Sequence, residues 1–167
     1  LETGEPFGIA LIRDGVEVYD IPGNHGRLGK RGDFPRRDNT DRIVYEICRE
    51  RYADVAEVEW HPAESWHQIV PIGNYRALLI HGDQIRAFGG NLPAYGILRK
   101  VNAWAAGVLP DFHDAFIGHF HTAQILSGAD GRRVYMTGSP ESGSEYAREF
   151  VAATGTPSQT LNFVDPD

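Results

Sequence analysis

A chain of 167 residues, 41% apolar and 23% charged, is long enough to bury one domain's core and has the make-up of a globular protein. Its single cysteine, Cys48, excludes an internal disulfide, and no apolar run approaches the roughly 20 residues that cross a bilayer. A net charge of −7 sets the chain as a whole against long-range attraction to nucleic acid.

In chain order, "EPFGIALIRDG" (5–15) reads as the tail of a helix stopped at Gly15. A strand follows over Val16–Ile21 and breaks at Pro22-Gly23. The loop "RLGKRGDFPRR" (27–37) then holds five of the 16 Lys and Arg residues and one acid. It is either a solvated loop or a contact for phosphate, and its place directly after Asn24-His25 favours the latter. Asn39 or Thr40 caps a helix running to about Tyr52, with Ile43, Val44, Ile47 and Cys48 at the spacing of one buried face. On that face Cys48 is a small core residue, not a nucleophile.

Strand-like runs "VAEVEW" (55–60) and "WHQIVPI" (66–72) come next, and they read as a hairpin on which Trp60, His61, Trp66 and His67 pack or face solvent. Gly73-Asn74 turns into "YRALLIHGD" (75–83), whose Leu78-Leu79-Ile80 core suits a strand covered on both faces. The Gly89-Gly90 loop lacks the Lys and Ser/Thr of a nucleotide-binding loop. A helix over Pro93–Ala106 follows, with Trp104 in the core and Gly107 at its end. "DAFIGHFHT" (114–122) gives a short strand ending at Gly118, and "AQIL", "GADG" and "RRVYMTGS" form a hairpin. "SEYAREF" reads as a short helix and "TLNFVD" (160–165) as a last strand. Strands alternating with helices early and pairing in hairpins late indicate a layered α/β domain with a mixed sheet.

Three strands end alike, delivering Gly23-Asn24-His25, His81-Gly82-Asp83 and Gly118-His119-Phe120-His121. Ligands of open α/β sheets collect beyond the carboxyl ends of strands. An Asn carbonyl with several neutral imidazoles makes a mixed donor set for a borderline divalent transition metal. Each piece alone is a common surface or turn feature; the ordered set of three is what carries information. Asp111-Phe112-His113 has ligand-like spacing, but it precedes its strand and so stands roughly 16 Å from that strand's carboxyl end. Ser139, Ser142 and Ser144 have no general base within sequence reach, which argues against a serine nucleophile.

"GNHG" (23–26), "IHGD" (80–83) and "GHFH" (118–121) resemble, in this order, the last three motifs of the calcineurin-like metallophosphoesterases, and the surrounding wording looks most like phage and prophage members. The resemblance implies half of a four-layer α/β/β/α sandwich with mixed sheets, as one domain over residues 1–167. It implies that Asn24, His81 and His119 ligate one metal and His121 a second, the ions being Mn, Fe, Zn or Ni. His25 would face the scissile phosphate and protonate the leaving oxygen, while Arg27, Lys30 and Arg31 would grip substrate phosphate. The activity implied is metal-dependent hydrolysis of a phosphoester by an activated water, and the basic loop points to a diester in nucleic acid or a nucleotide.

Two departures accompany the resemblance. The family has Asp or Glu after the motif's His, where a carboxylate orients the imidazole; here Gly26 follows, so another carboxylate such as Asp83 would have to serve. The family's first two motifs, Asp-x-His and Gly-Asp-x-x-Asp, have no counterpart. With Leu1 in place of Met, this suggests a partial chain whose missing half, or a second chain, completes a dinuclear centre and covers an apolar edge. The alternatives are a half-domain that binds a partner chain or nucleic acid without catalysis, and a module holding one metal, or none, without turnover. With no leader in the sequence and no membrane partner implied, the expected location is cytoplasmic.

Overall fold

A computed structural model describes residues 7–12, 15–36, 38–86, 92–141 and 156–165. The chain is α/β with two mixed sheets and divides into two compact units, Leu1–Gln68 and Ile69–Asp167.

In the first unit, β1 (Phe7–Ile12) pairs antiparallel with β2 (Val16–Ile21), from Phe7↔Ile21 to Ile12↔Val16. The helix tail expected here is therefore a strand: "FGIALI" has no 3.6-residue period, and pairing along all of β2 outweighs the helix preference of Ala and Leu. Helix α1 (Thr40–Arg51) crosses back to β3 (Val58–His61), which runs parallel to β2. Asn39 caps α1, its side chain accepting from the Asp41 N–H at 2.9 Å.

The buried face of α1 is not the apolar one. Ile43, Val44 and Ile47 are exposed and Cys48 is half-buried, whereas Asp41 and Tyr45 are buried. The cause is polar. Gly23 N–H donates to Asp41 Oδ2 at 2.7 Å, and the Tyr45 hydroxyl donates to the Ile21 carbonyl at 2.9 Å. Those backbone groups at the end of β2 would be costly to bury without partners, so they fix the helix's rotation.

The strands read as a 55–72 hairpin fall in different sheets. β3 closes the three-stranded sheet β1-β2-β3, whereas β4 (His67–Ile72) opens a five-stranded sheet of order β4-β5-β6-β8-β7. Gly73-Asn74 joins β4 to β5 (Tyr75–Ile80), whose Ala77–Ile80 segment is wholly buried. Helix α2 (Ala94–Ala103), with Pro93 just before its first turn, runs on past Trp104 and unwinds at Ala106 and Gly107, the latter at φ 107°. Its Ile97, Val101 and Trp104 enter the core at helical spacing.

β6 (Asp114–Ile117) lies parallel to β5 and to β8 (Arg133–Met136), and β7 (Gln124–Ser127) pairs antiparallel with β8 as the hairpin predicts. Buried Asp114 accepts from the Arg133 N–H (2.7 Å) and the Tyr75 hydroxyl (3.1 Å), fastening the start of the three parallel strands. Residues 160–165 form no strand, and Leu161 and Phe163 are exposed. The expected 144–150 helix and the Gly89-Gly90 loop lie outside the described residues. No helix among the described residues is long and apolar enough to cross a membrane.

Candidate metal centre

The second unit brings its two histidine-bearing motifs to one end of the sheet. Ile80 pairs with Ile117 and Ile117 with Met136, so three parallel strands end side by side. Beyond them lie His81-Gly82-Asp83, Gly118-His119-Phe120-His121 and Thr137-Gly138-Ser139. The His81 and His119 rings meet edge-on, centroids 5.1 Å apart at 65°. His81 and Asp83 are buried, His119 is half-buried and His121 is exposed.

Backbone geometry makes that approach possible. Gly82 has φ 119°, and a Cβ there would stand 2.7 Å from Ile117 Cγ2 and 3.1 Å from the His119 Cβ. Any other residue would push the two loops apart. His119 (φ 62°) and His121 (φ 52°) are the non-glycine residues at positive φ among those described. That conformation costs roughly 1–3 kcal/mol per residue and concentrates at functional sites. A tight Phe120 N–H bond to the Gly118 carbonyl (2.6 Å) and the Thr122 hydroxyl on the Phe120 carbonyl (3.1 Å) hold the turn.

Adjoining imidazoles on strained loops are donors that fit a borderline divalent cation. Among the described residues, no group of three or more His, Cys, Asp or Glu side chains is arranged to hold a metal. Among the described residues, the second unit thus brings two imidazoles together at adjoining strand ends.

Asn24, His25 and the basic residues belong to the first unit. After β2, Gly23 is buried, Asn24 half-buried and His25 exposed. The turn is bolted to the start of α1. Asn39 Nδ2 donates to the Gly23 carbonyl (2.9 Å), and the Thr40 N–H (2.8 Å) and hydroxyl (3.1 Å) both donate to the Gly26 carbonyl. Arg27 Nε donates to the Asn24 carbonyl at 3.0 Å, so this arginine ties the turn as well as carrying charge. Lys30 and Arg31 are exposed.

Sequence reasoning missed Asp41, which looks like an ordinary acid in a helix's first turn. Burial pushes its carboxyl above the usual carboxylate range, while the Gly23 N–H and the nearby His25 charge pull it back. The available signal was Gly26, a site where the neighbouring loop needs space.

Other candidates have structural work. Asp20 accepts from Trp60 Nε1 (2.9 Å) and the Ala63 N–H (3.0 Å), and Asp33 accepts from the Lys30 N–H (2.8 Å). His61 stacks on Tyr19 at 4.4 Å. Asp111 pairs with Arg76, and His113 stacks on Tyr75 and accepts from the Arg76 N–H at 3.0 Å, at the opposite end of β6 from Gly118. Ser139 is buried, its hydroxyl accepting from the Glu141 N–H at 3.0 Å.

No family model matches the sequence, and no curated protein matches it. Among solved structures, the chain is similar to a conserved uncharacterized protein, a predicted phosphoesterase, from Streptococcus pneumoniae TIGR4. The two are 13% identical with a TM-score of 0.37, over 62% of this chain and 69% of the other.

Proposed function

We propose that this chain carries residues of a calcineurin-like site for metal-dependent hydrolysis of phosphoesters, with phosphodiesters of nucleic acid or nucleotides as the substrate class. One observation carries the reading: His81 and His119 stand edge-on at 5.1 Å on adjoining strand ends, the second on strained backbone. The ordered motifs "GNHG", "IHGD" and "GHFH" support it.

In this reading His81 and His119 hold one divalent ion (Mn, Fe, Zn or Ni) and His121 a second, and the motif order assigns Asn24 a ligand's role as well. A bound ion would supply a water acidified from a pKa of about 15.7 toward 7 and would neutralise phosphoryl charge. His25, on an exposed turn, gives its proton to the leaving oxygen. Arg27, Lys30 and Arg31 attract and orient the substrate phosphates.

A second reading, a half-domain that binds a partner chain or nucleic acid, or one metal without turnover, is favoured by the lack of an acidic ligand cluster among the described residues. Hydrolysis assays on the purified full-length protein with added Mn²⁺, together with metal analysis, separate the readings. The proposal expects an aryl phosphodiester to be cleaved faster than an aryl monoester, in a His25-dependent manner. Monoesters cleaved far faster would overturn the diester assignment. No turnover with at most one metal bound would favour the second reading.

A further inference from the structure

We infer that the loop between β2 and α1 is a binding site for single-stranded nucleic acid, in which Phe34 stacks on an unpaired base while Lys30 and Arg31 hold the neighbouring phosphates. The inference rests on the phosphate-binding role proposed for this loop and narrows its substrate class.

The loop is held by its own hydrogen bonds. An antiparallel bridge between Arg27 and Asn39 closes its base. At its tip the Asp33 N–H donates to the Lys30 carbonyl (3.0 Å) and the Lys30 N–H to Asp33 Oδ2 (2.8 Å), with Gly32 at φ 97° between them. The Asp38 N–H donates to the Pro35 carbonyl at 2.9 Å. The Asp33 carboxylate is thus engaged by main chain, and Lys30 and Arg31 are exposed. Residues 27–39 carry five basic side chains against two acids, a net +3 in a chain of −7. At physiological salt, exposed charges more than about 8 Å apart are largely screened, so the loop's own sign prevails at the point of contact.

Phe34 supplies what a phosphate site alone would not need. Its ring edge takes the place of a side chain at Gly29, where a Cβ would stand 2.8 Å from Phe34 Cε2 and 3.0 Å from Cδ2. Anchored against that backbone, Phe34 is still 51% exposed, and Leu28 is 59% exposed. Apolar side chains scattered singly over a surface are ordinary. Here two of them share an ordered loop with two exposed cations. That combination suits a strand whose bases are unpaired, since stacking on an aromatic ring accepts any base while cations follow the backbone. A duplex keeps its bases inside the stack, out of the ring's reach.

The test reads binding apart from catalysis. Fluorescence anisotropy follows a short labelled oligothymidylate, an oligouridylate and a duplex DNA of the same length against the full chain in EDTA, at several salt concentrations. Wild type should bind at least one single strand about tenfold or more tighter than the duplex, the tighter strand naming the sugar. Phe34→Leu keeps an apolar contact for Gly29 but has no flat face, and should weaken single-strand binding about fivefold or more. Phe34→Trp should match or exceed wild type. Lys30→Gln with Arg31→Gln should lower the slope of log affinity against log salt by about 1.4 for the single strands.

A duplex bound as tightly as both single strands, Phe34→Leu binding like wild type, or no binding by wild type would each overturn the inference. Should Phe34→Leu fail to fold, the comparison of single strand with duplex in wild type decides alone. Single-strand binding that depends on Phe34, with no hydrolysis in Mn²⁺, would uphold the inference and overturn the catalytic reading. Hydrolysis with binding indifferent to Phe34 would do the reverse.

Discussion

His119 and His121 hold left-handed backbone that glycine adopts freely, a steric cost that the ligand roles proposed for them would explain. For exposed His121 the consequence is measurable. His121→Gly relieves roughly 1–2 kcal/mol of steric cost, offset by ~0.5–1 kcal/mol of added freedom in the unfolded chain. Stability to urea should rise by up to about 1 kcal/mol, while affinity for a second Mn²⁺ falls. Unchanged metal binding would remove His121 from the ligand set. Gly26 presents the opposite case, small because the space is taken. Gly26→Ala should cost about 2–3 kcal/mol in the same assay, since the Asn39 and Asp41 side chains that it meets are both buried and bonded.

At the scale of elements, α1 shows where pattern and packing part company. Its limits were legible to within a residue, with Asn39, one of the two candidate caps, in the cap position. Its orientation was not, because the apolar spacing of Ile43, Val44 and Ile47 says nothing of backbone groups 18 and 24 residues before their partners Asp41 and Tyr45. Two substitutions measure the difference. Tyr45→Phe strips the donor from the Ile21 carbonyl and should cost about 1–2 kcal/mol. Ile47→Glu, on the exposed face, should stay within about 0.5 kcal/mol of wild type. A large loss from Ile47→Glu would restore the apolar face as the buried one. The Gln124–Met136 hairpin and the buried run of β5 were readable for a simpler reason, since turn residues and continuous apolar strands need no knowledge of distant partners. β1 needed such knowledge, because "FGIALI" becomes a strand by pairing with β2. "TLNFVD" has strand-like composition and gains no partner strand among the described residues.

For the molecule as a whole, the motifs divide between the two compact units: Asn24 and His25 in the first, His81, His119 and His121 in the second. The sequence revealed which residues end strands, because glycines and short apolar runs mark those points. It also led to the pairing of His81 with His119, which follows from β5 and β6 lying side by side. It missed the burial of Asp41, since a carboxylate bonded to a turn 18 positions earlier leaves no local mark. A divalent ion bound to the native chain would stabilise it, by about 2.7 kcal/mol at one hundred times its dissociation constant.

The central claim is that His81 and His119 hold a cation. Its most direct test is equilibrium dialysis of the full chain against Mn²⁺ or Zn²⁺, followed by metal analysis. The comparison is wild type against His81→Ala, His119→Ala and the control His113→Ala, whose ring stacks on Tyr75 instead. The account predicts metal retained by wild type and by His113→Ala, with affinity lowered about tenfold or more in each of the other two. Equal metal in all four proteins, or none in wild type, would contradict it.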